Sequence, residues 1–332
     1  MFPTHRFARA AFGVALTAAL LSAPVRAADI DKYLPDGTVF VLSLNVKNLL
    51  DSPLLRGDEK AFKTAMGEAS KALENFGVDP GKDLNRVVLA AGEGGPNNAV
   101  MLIEGTFNTA KLQTQLANLA KEKTGNVEPA EDAPAGVYQV KIPAQARRNP
   151  GMPSRVLFTV LDRNVLAVAA DQAALSDVLA KKKGDKKAEV KQEMLQEIGK
   201  INPRETASVV IMPPQQLLQG GPAAGMTKIT GGVTVTQGVK TDILLTTKDG
   251  DSANDLAKAI NDGLAQVKQL IPIFAGNQPG VGQKEIGMIT ELIDSFKATA
   301  QPKGVSIKSE ISKDFIDKAK QAGQEKDKDK DK

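Results

Sequence analysis

Apolar and polar residues are grouped along the chain into short strand-like runs, arranged in pairs and followed by helical patterns. Residues 86–91 and 99–104 are apolar runs around a turn rich in Gly and Asn, which predicts a β-hairpin. Asn108 then precedes leucines spaced three and four positions apart, from Leu112 to Leu119, as in an amphipathic helix that has an N-cap. This order predicts an α+β fold with antiparallel or mixed sheets and helices packed on one face.

The remaining elements follow the same logic. In the first half the pattern predicts helices over 59–76 and 189–198, a helix from Asp171, and strands over 137–142, 155–161 and 165–169. In the second half it predicts strands over 228–236, 239–247 and 304–311, a helix from about Ser252, a helix over 284–300, and a closing helix from Ser312.

Two stretches of the chain are alike. Residues 32–50 and 200–218 share six identities in nineteen positions at a constant offset of 168, including Thr38 with Thr206. A repeat unit of about 150 residues is typical of a duplicated domain and is far longer than a solenoid unit. We therefore expect two related domains, 28–198 and 199–323.

Residues 1–27 have the pattern of a cleavable signal peptide. Two arginines precede an uncharged run over 10–23, which Pro24 ends before the small residue Ala27. We expect cleavage after Ala27 and a periplasmic or extracellular location, with no transmembrane segment in the mature chain. At the other end, residues 324–332 alternate Lys with acidic residues and are expected to be disordered.

Composition excludes many chemistries. The chain has no Cys or Trp, and its single His, His5, lies in the signal segment. A Ser-His-Asp or Cys-His site and the usual zinc, copper or haem sites are therefore excluded after residue 27. Segment 1–27 carries three Arg and no acidic residue, so the remainder has 40 basic against 39 acidic residues, which gives no support for a nucleic-acid partner. We expect no cofactor, no metal site and no enzyme activity.

Several segments resemble known sites but have simpler interpretations. Asp249–Asp255 alternates acidic residues as a calcium loop does, but lacks the Gly and closing Glu of an EF-hand, so we expect Ser252 to be an N-cap. The turn Gly92–Asn98 matches no phosphate-binding loop, and Gly231–Gly232 indicates a bulge or bend. Lys181–Lys187 could bind phosphate, sulfated glycan or a membrane surface, with an exposed turn as the simpler interpretation. Arg147–Arg148 is similarly interpreted as an exposed loop.

Carboxylate catalysis remains chemically open, because glycosidases need only two acidic side chains. The possible members are Glu93, Glu104, Asp132 and Asp162, and no spacing among them singles out a pair. Glu104 and Asp162 deserve first examination, since both lie at predicted strand ends of the first half.

The segment from Tyr33 to Leu55, with its Leu-Pro-x-x-Thr strand and Asn-x-x-x-Leu-Leu helix start, resembles a group of exported proteins of unknown function from planctomycete-like bacteria. The resemblance covers some 25 residues and implies location and domain type only. We therefore expect an exported, non-enzymatic binding or scaffolding protein whose partner is a protein, glycan or lipid of the envelope. The alternatives are a carrier of an apolar, lipid-like ligand and, less favoured, a carboxylate-dependent hydrolase.

Overall fold

The structure is a computed structural model, and it describes residues 30–56, 59–122, 127–142, 153–218, 220–276 and 283–330. The strands are β1 (Thr38–Asn45), β2 (Leu84–Gly92), β3 (Ala99–Gly105), β4 (Val127–Pro129), β5 (Val137–Lys141), β6 (Arg155–Val160), β7 (Val165–Ala169), β8 (Ala207–Ile211), β9 (Met226–Val235), β10 (Val239–Thr247), β11 (Lys297–Gln301) and β12 (Gly304–Ile311). The α-helices are α1 (Val46–Asp51), α2 (Glu59–Met66), α3 (Glu68–Asn75), α4 (Thr109–Glu122), α5 (Gln172–Lys183), α6 (Gln192–Gly199), α7 (Gly250–Gly276), α8 (Gln283–Ser295) and α9 (Lys313–Lys330).

All twelve strands belong to one antiparallel sheet, which confirms the α+β class. The strand order is β11-β12-β10-β9-β8-β1-β2-β3-β7-β6-β5-β4. Near its centre β1 pairs with β8, the first strands of the two expected halves, with Val41 opposite Val210 and Leu42 opposite Val209. The two halves are therefore joined edge to edge into a continuous sheet.

The strand order is mirrored about this central pair. Outwards from the centre run β1-β2-β3 on one side and β8-β9-β10 on the other, and a long helix, α4 or α7, follows the third strand in each half. The sequence repeat aligns Val41 with Val209, but in the sheet these two residues lie on opposite faces. The structural equivalence of β1 and β8 is therefore shifted by one residue from the sequence alignment. A bulge in β1 between Thr38 and Phe40 lies next to this difference.

The two faces of the sheet are covered differently. We call the face that carries Val41 the back face and the face that carries Leu42 the front face. On the back face α5 and α6 cover the first-half strands, and their Leu175 and Met194 lie in one buried cluster with Val41. On the front face α4 covers the outer first-half strands, where Leu116 packs in a second cluster.

In the second half the helix that follows the third strand packs on the front face, while α6 reaches the back face of β8 and β9 through Met194 beside Val210 and an ion pair between Glu197 and Lys228. On the front face α7 packs Ala253 and Leu256 against Val305 of β12. The back face of β10 and β12 carries exposed polar residues such as Asp242 and Lys308. In the first half the second helical layer is an addition to the expected arrangement, and it forms because strands β2 and β3 carry apolar residues at successive positions, so that both faces need cover.

Two predicted elements need correction. The helix expected over 59–76 is divided into α2 and α3 at Gly67, whose φ of +56° is left-handed and ends a helical turn. The helix expected over 284–300 ends at Ser295, and residues 297–301 form β11 on the edge of the sheet. The closing helix α9 extends to Lys330, and the disorder expected of residues 324–332 stays a prediction.

The predicted signal peptide lies outside the described residues. The division into two domains at 198/199, next to the end of α6 at Gly199, stays a prediction.

Candidate binding surface

The acidic residues considered for catalysis serve local structure. Asp162 lies in the β6–β7 turn, where its carboxylate accepts hydrogen bonds from the Asn164 backbone N–H at 2.9 Å and from the Tyr33 hydroxyl at 3.4 Å. Glu104 pairs with Val165 in the β3–β7 ladder. Glu93 forms an exposed ion pair with Lys191 at 2.8 Å.

The fourth of these acids, Asp132, accepts a hydrogen bond at its main-chain carbonyl from Gln172. Within the described part of the chain, no group of three or more His, Cys, Asp and Glu could hold a metal ion.

The Asp249–Asp255 segment is a helix start, but its cap is not the predicted residue. The Asp249 carboxylate accepts from the Ser252 backbone N–H at 2.8 Å, and α7 begins at Gly250. Asp249 is therefore the N-cap, three residues before the Ser252 expected from the sequence. The hydrogen bonds from Ser252 hold the pKa of the Asp249 carboxyl below its ordinary value.

The glycine-rich segments are also structural. Gly92–Asn98 connects β2 to β3, as predicted for a hairpin. Gly231 and Gly232 continue the regular pairing of β9 with β10, so the expected bulge is absent there. A Cβ on Gly231 would lie 2.5 Å from the Asp242 carbonyl oxygen, and one on Gly232 would lie 2.2 Å from the Glu205 carboxylate. These glycines let β10 and Glu205 approach the strand closely.

Glu205 is a partly desolvated carboxylate on the back face. Burial and, secondly, the negative charge of Asp242 raise the pKa of Glu205. A raised carboxyl pKa means that the ionised form is less stable here than in the unfolded chain.

Lys181 is buried, although the sequence predicts an exposed turn for the lysine cluster. Its side chain is 1% exposed and its Nζ lies 2.9 Å from the Asp36 carboxylate, with Asp177 as a second ionic partner. It also donates to the Leu34 carbonyl oxygen at 2.7 Å. Lys186 pairs with the same two carboxylates. The cluster is thus partly a buried ion network that fixes the end of α5 to the entry of β1, and its interpretation as an exposed turn is wrong for Lys181.

The network has a strong electrostatic signature. Burial alone would raise the pKa of Asp36, but hydrogen bonds from Lys186 and Lys181 outweigh it and hold that pKa well below its ordinary value. The carboxylates of Asp177 and Asp36 raise the pKa of Lys186. Asp36 and Lys186 are therefore charged at neutral pH. The two lysines and the two carboxylates of the network pair with one another, which leaves little capacity for an external anion. Arg147–Arg148 lies outside the described residues.

The front face of the central strands is open and apolar. Leu42 is 38% exposed and Met101 is 37% exposed, although both lie in the middle of a large sheet. We define the open apolar surface as these two residues with five half-buried neighbours: Phe40, Leu42, Leu89, Met101, Val209, Ile211 and Ile229. All seven lie outside the three buried clusters found in the described residues.

Strand register places these side chains in two rows. One row runs Met101, Leu89, Leu42, Val209 and Gly231, because each residue is the direct partner of the next across neighbouring strands. The second row consists of Ala91, Phe40, Ile211 and Ile229. Directly paired residues in antiparallel strands project from the same face, and these two rows contain no charged or hydrogen-bonding side chain.

The open apolar surface is the floor of a trough. On one side α4 packs over the outer first-half strands, and on the other α7 packs over β10 and β12. One end is crossed by the segment after α1, where the Leu54 backbone N–H donates to the Thr236 carbonyl at 3.0 Å. An apolar surface of this kind, recessed between helices, is typical of a site that another apolar element covers.

Two further depressions have different linings. One, of about 700 Å³, lies between α2 and α3 and is lined by polar residues including Lys60, Lys63 and Ser70. The carboxylates of Asp79 and Glu74 raise the pKa of Lys63 to about 12, so this lysine already has anionic partners. The other, of about 540 Å³, lies between α4 and the β4–β5 hairpin and is lined mainly by Ala and Pro.

Sequence reasoning missed the open apolar surface. Strands β1 and β8 are runs of apolar residues, and such runs predict burial on both faces. One sequence feature could have indicated it: β9 and β10 carry charged residues among their apolar ones, whereas β1 carries none.

Comparison with known proteins adds little. In the part of the chain that the structure describes, the helices are too short or too polar to cross a membrane. No protein-family model matches the chain, and no curated protein does. Among solved structures, one described as "Structure of crystal form I of TP0453" is similar at a TM-score of 0.46 and 10% identity, over 87% of this chain and 96% of that one. Similarity at this level establishes neither a shared fold nor a shared function.

Proposed function

We propose that this chain is an exported, non-enzymatic binding protein and that the open apolar surface is its recognition site. The observation that most directly supports this proposal is the exposure of Leu42 and Met101 in the middle of the sheet. Large apolar side chains left open in a contiguous, uncharged patch mark an interaction site in soluble proteins. The pattern of residues 1–27 and the resemblance of residues 33–55 to exported proteins support the envelope as the place of binding.

The lack of catalytic activity is part of the same proposal. After residue 27 the chain has no His or Cys, so a proton-transfer site at neutral pH would require a carboxylate or Lys with a strongly shifted pKa. Glu205 has a raised pKa, but it lies against Gly232 of the back face, away from the trough. The charges with the strongest shifts, Asp36 and Lys186, satisfy each other.

A carrier of an apolar ligand is the second candidate. The uncharged floor of the trough favours it, because an acyl chain requires apolar walls and no hydrogen-bonding partner. The two candidates differ in the mass of what is bound.

Site-specific photo-crosslinking separates them. Benzoylphenylalanine is placed at position 42 of the exported protein, and, as a matched control, at position 244 on the back face, where Leu244 is 36% exposed. A binding protein gives an adduct heavier by a whole polypeptide at position 42 and none at position 244. An adduct heavier by a lipid alone supports the carrier. Equal labelling at both positions, or labelling at neither, contradicts the proposed site.

Export is tested separately. The intact mass of the exported protein is expected to correspond to a chain that starts at Ala28. A mass that includes Met1 would contradict this part of the proposal.

We also propose that the two halves arose by duplication. The mirrored strand order about β1 and β8 supports it, while the one-residue difference in register requires a later shift in one copy. A superposition of β1–β3 and α4 on β8–β10 and α7 tests it. The four elements are expected to coincide, and a match confined to one hairpin would refute the duplication.

A further inference from the structure

We infer that the partner of the open apolar surface is a second copy of this chain, which inserts its α7–α8 helical hairpin into the trough. This inference rests on the proposed binding function and names the occupant of the same site. It follows from the shape of the trough and from a second exposed apolar region on the same chain.

The trough has the dimensions of a pair of helices. Its open floor comprises strands β3, β2, β1, β8 and β9, and the four spacings of 4.7–4.9 Å between them make it about 19 Å wide. Two helices packed side by side have axes 8–10 Å apart and fill that width. A second sheet cannot reach the floor face to face, because α4 and α7 stand above it on either side.

The matching element consists of the described residues at the end of α7 and in α8, 264–272 and 286–295, and the name α7–α8 hairpin refers to these residues. Helix α7 has 27 residues and is about 40 Å long, whereas the eight residues of β12 extend about 27 Å. Its contacts with the sheet come from its first turns, through Ala253 to Ile260. Further along, Val267 is 51% exposed and Leu270 is 43% exposed.

Helix α8 lies beside α7 and also carries an exposed apolar residue. Its Ile289 is 42% exposed, and the ion pair between Lys268 and Asp294, at 2.7 Å, joins the two helices. The hairpin therefore presents exposed apolar side chains from two adjacent helices. The trough lacks such a pair of helices over its floor.

The contact is head to tail, because the two surfaces differ and both occur on every copy. Such a heterologous contact leaves one free trough and one free hairpin at the ends of each assembly, so copies add in series. The floor measures about 19 by 14 Å, or roughly 270 Å², which is small beside the area buried by stable dimers. We therefore expect reversible assembly that depends on concentration in the micromolar range or above.

Sedimentation velocity of the exported protein between about 5 and 500 µM tests this inference. The average mass of the wild type is expected to rise with concentration beyond that of a dimer. Leu42→Lys in the trough and Leu270→Lys on the hairpin should each remain monomeric, because each places a charge in an apolar contact. Leu244→Lys is the matched control, equally exposed but on the back face, and should assemble like the wild type. Circular dichroism checks that every variant is folded.

Mixing the two defective variants is the decisive step. The Leu42→Lys chain keeps a functional hairpin and the Leu270→Lys chain keeps a functional trough, so an equimolar mixture should form dimers and nothing larger. A monomeric wild type at all concentrations, a monomeric mixture, or assembly of either variant alone would overturn the inference. If the wild type is monomeric while position 42 still crosslinks to a different polypeptide, this inference fails and the proposed function stands. Loss of the crosslink itself counts against the proposed function.

Discussion

Replacement of Lys181 by Met tests whether the buried ion network stabilises the fold. The substitution keeps the length and apolar stem of the side chain but removes the charge that lies between Asp36 and Asp177. It also leaves the Leu34 carbonyl oxygen without its donor at 2.7 Å. The junction between the end of α5 and the entry of β1 should therefore weaken.

The magnitude follows from the burial of each group. Removal of one partner of a fully buried ion pair costs about 3–5 kcal/mol, and an orphaned buried carbonyl about 1–3 kcal/mol. The carboxylates of Asp36 and Asp177 are 29% and 18% exposed, and Lys186 remains beside both, so the loss should be smaller than the sum of these two costs. We expect Lys181→Met to lower the free energy of unfolding by about 2–4 kcal/mol.

Urea unfolding is the appropriate assay, followed by circular dichroism because the chain has no Trp. With a slope near 3 kcal/mol per molar urea, the midpoint should fall by roughly 1 M. Lys183→Met is the control, since Lys183 is exposed on the same helix and should change stability by less than about 0.5 kcal/mol. Equal midpoints for the two variants would refute the structural role of the network.

Three further outcomes are expected. The pKa of Asp36 is lowered in the folded state, so the stability that this carboxylate contributes is present above its unfolded pKa of about 3.9 and is lost as the pH falls towards the folded value. Asp36→Asn should therefore lose less stability than the wild type between pH 5 and pH 2. Parallel curves of unfolding free energy against pH for the two proteins would contradict this. For Glu205 the sign is opposite, since its raised pKa makes the ionised form unfavourable in the folded state; Glu205→Gln should be at least as stable as the wild type in urea at pH 7, and a lower midpoint would show that the carboxylate is needed. Asp249→Ala should reduce thermal stability through about 1 kcal/mol of lost N-cap, with Ser252→Ala smaller, and the reverse order would restore the sequence-based assignment.

Local elements could be predicted because they depend on neighbouring residues. The strands Val165–Ala169 and Gly304–Ile311 have the predicted bounds, and Asn108 caps α4 as its spacing indicates. The strand Lys297–Gln301 was missed because its sequence, Lys-Ala-Thr-Ala-Gln, has little apolar pattern and its pairing with β12 decides its conformation.

The candidate surface could not be predicted for a different reason. Whether Leu42 is covered depends on where α4 and α7 pack, and those helices follow other strands of the sheet. The buried state of Lys181 likewise depends on Asp36, which is 145 positions away in the sequence. Both features arise from tertiary contacts that a local pattern does not contain.

The central position of β1 has a consequence for how the chain reaches its folded state. Strand β1 is among the first to be synthesised, yet one of its two partners, β8, begins only at Ala207. Val41 can pair with Val210 only after another 169 residues have been synthesised. Pairing over such a separation is slow, because closing a long loop costs conformational entropy before the contact can stabilise the chain. Until then the open hydrogen-bonding edge of β1 is a template for pairing with other chains. Folding of the nascent polypeptide should therefore require a holding chaperone until residues beyond Ile211 are available.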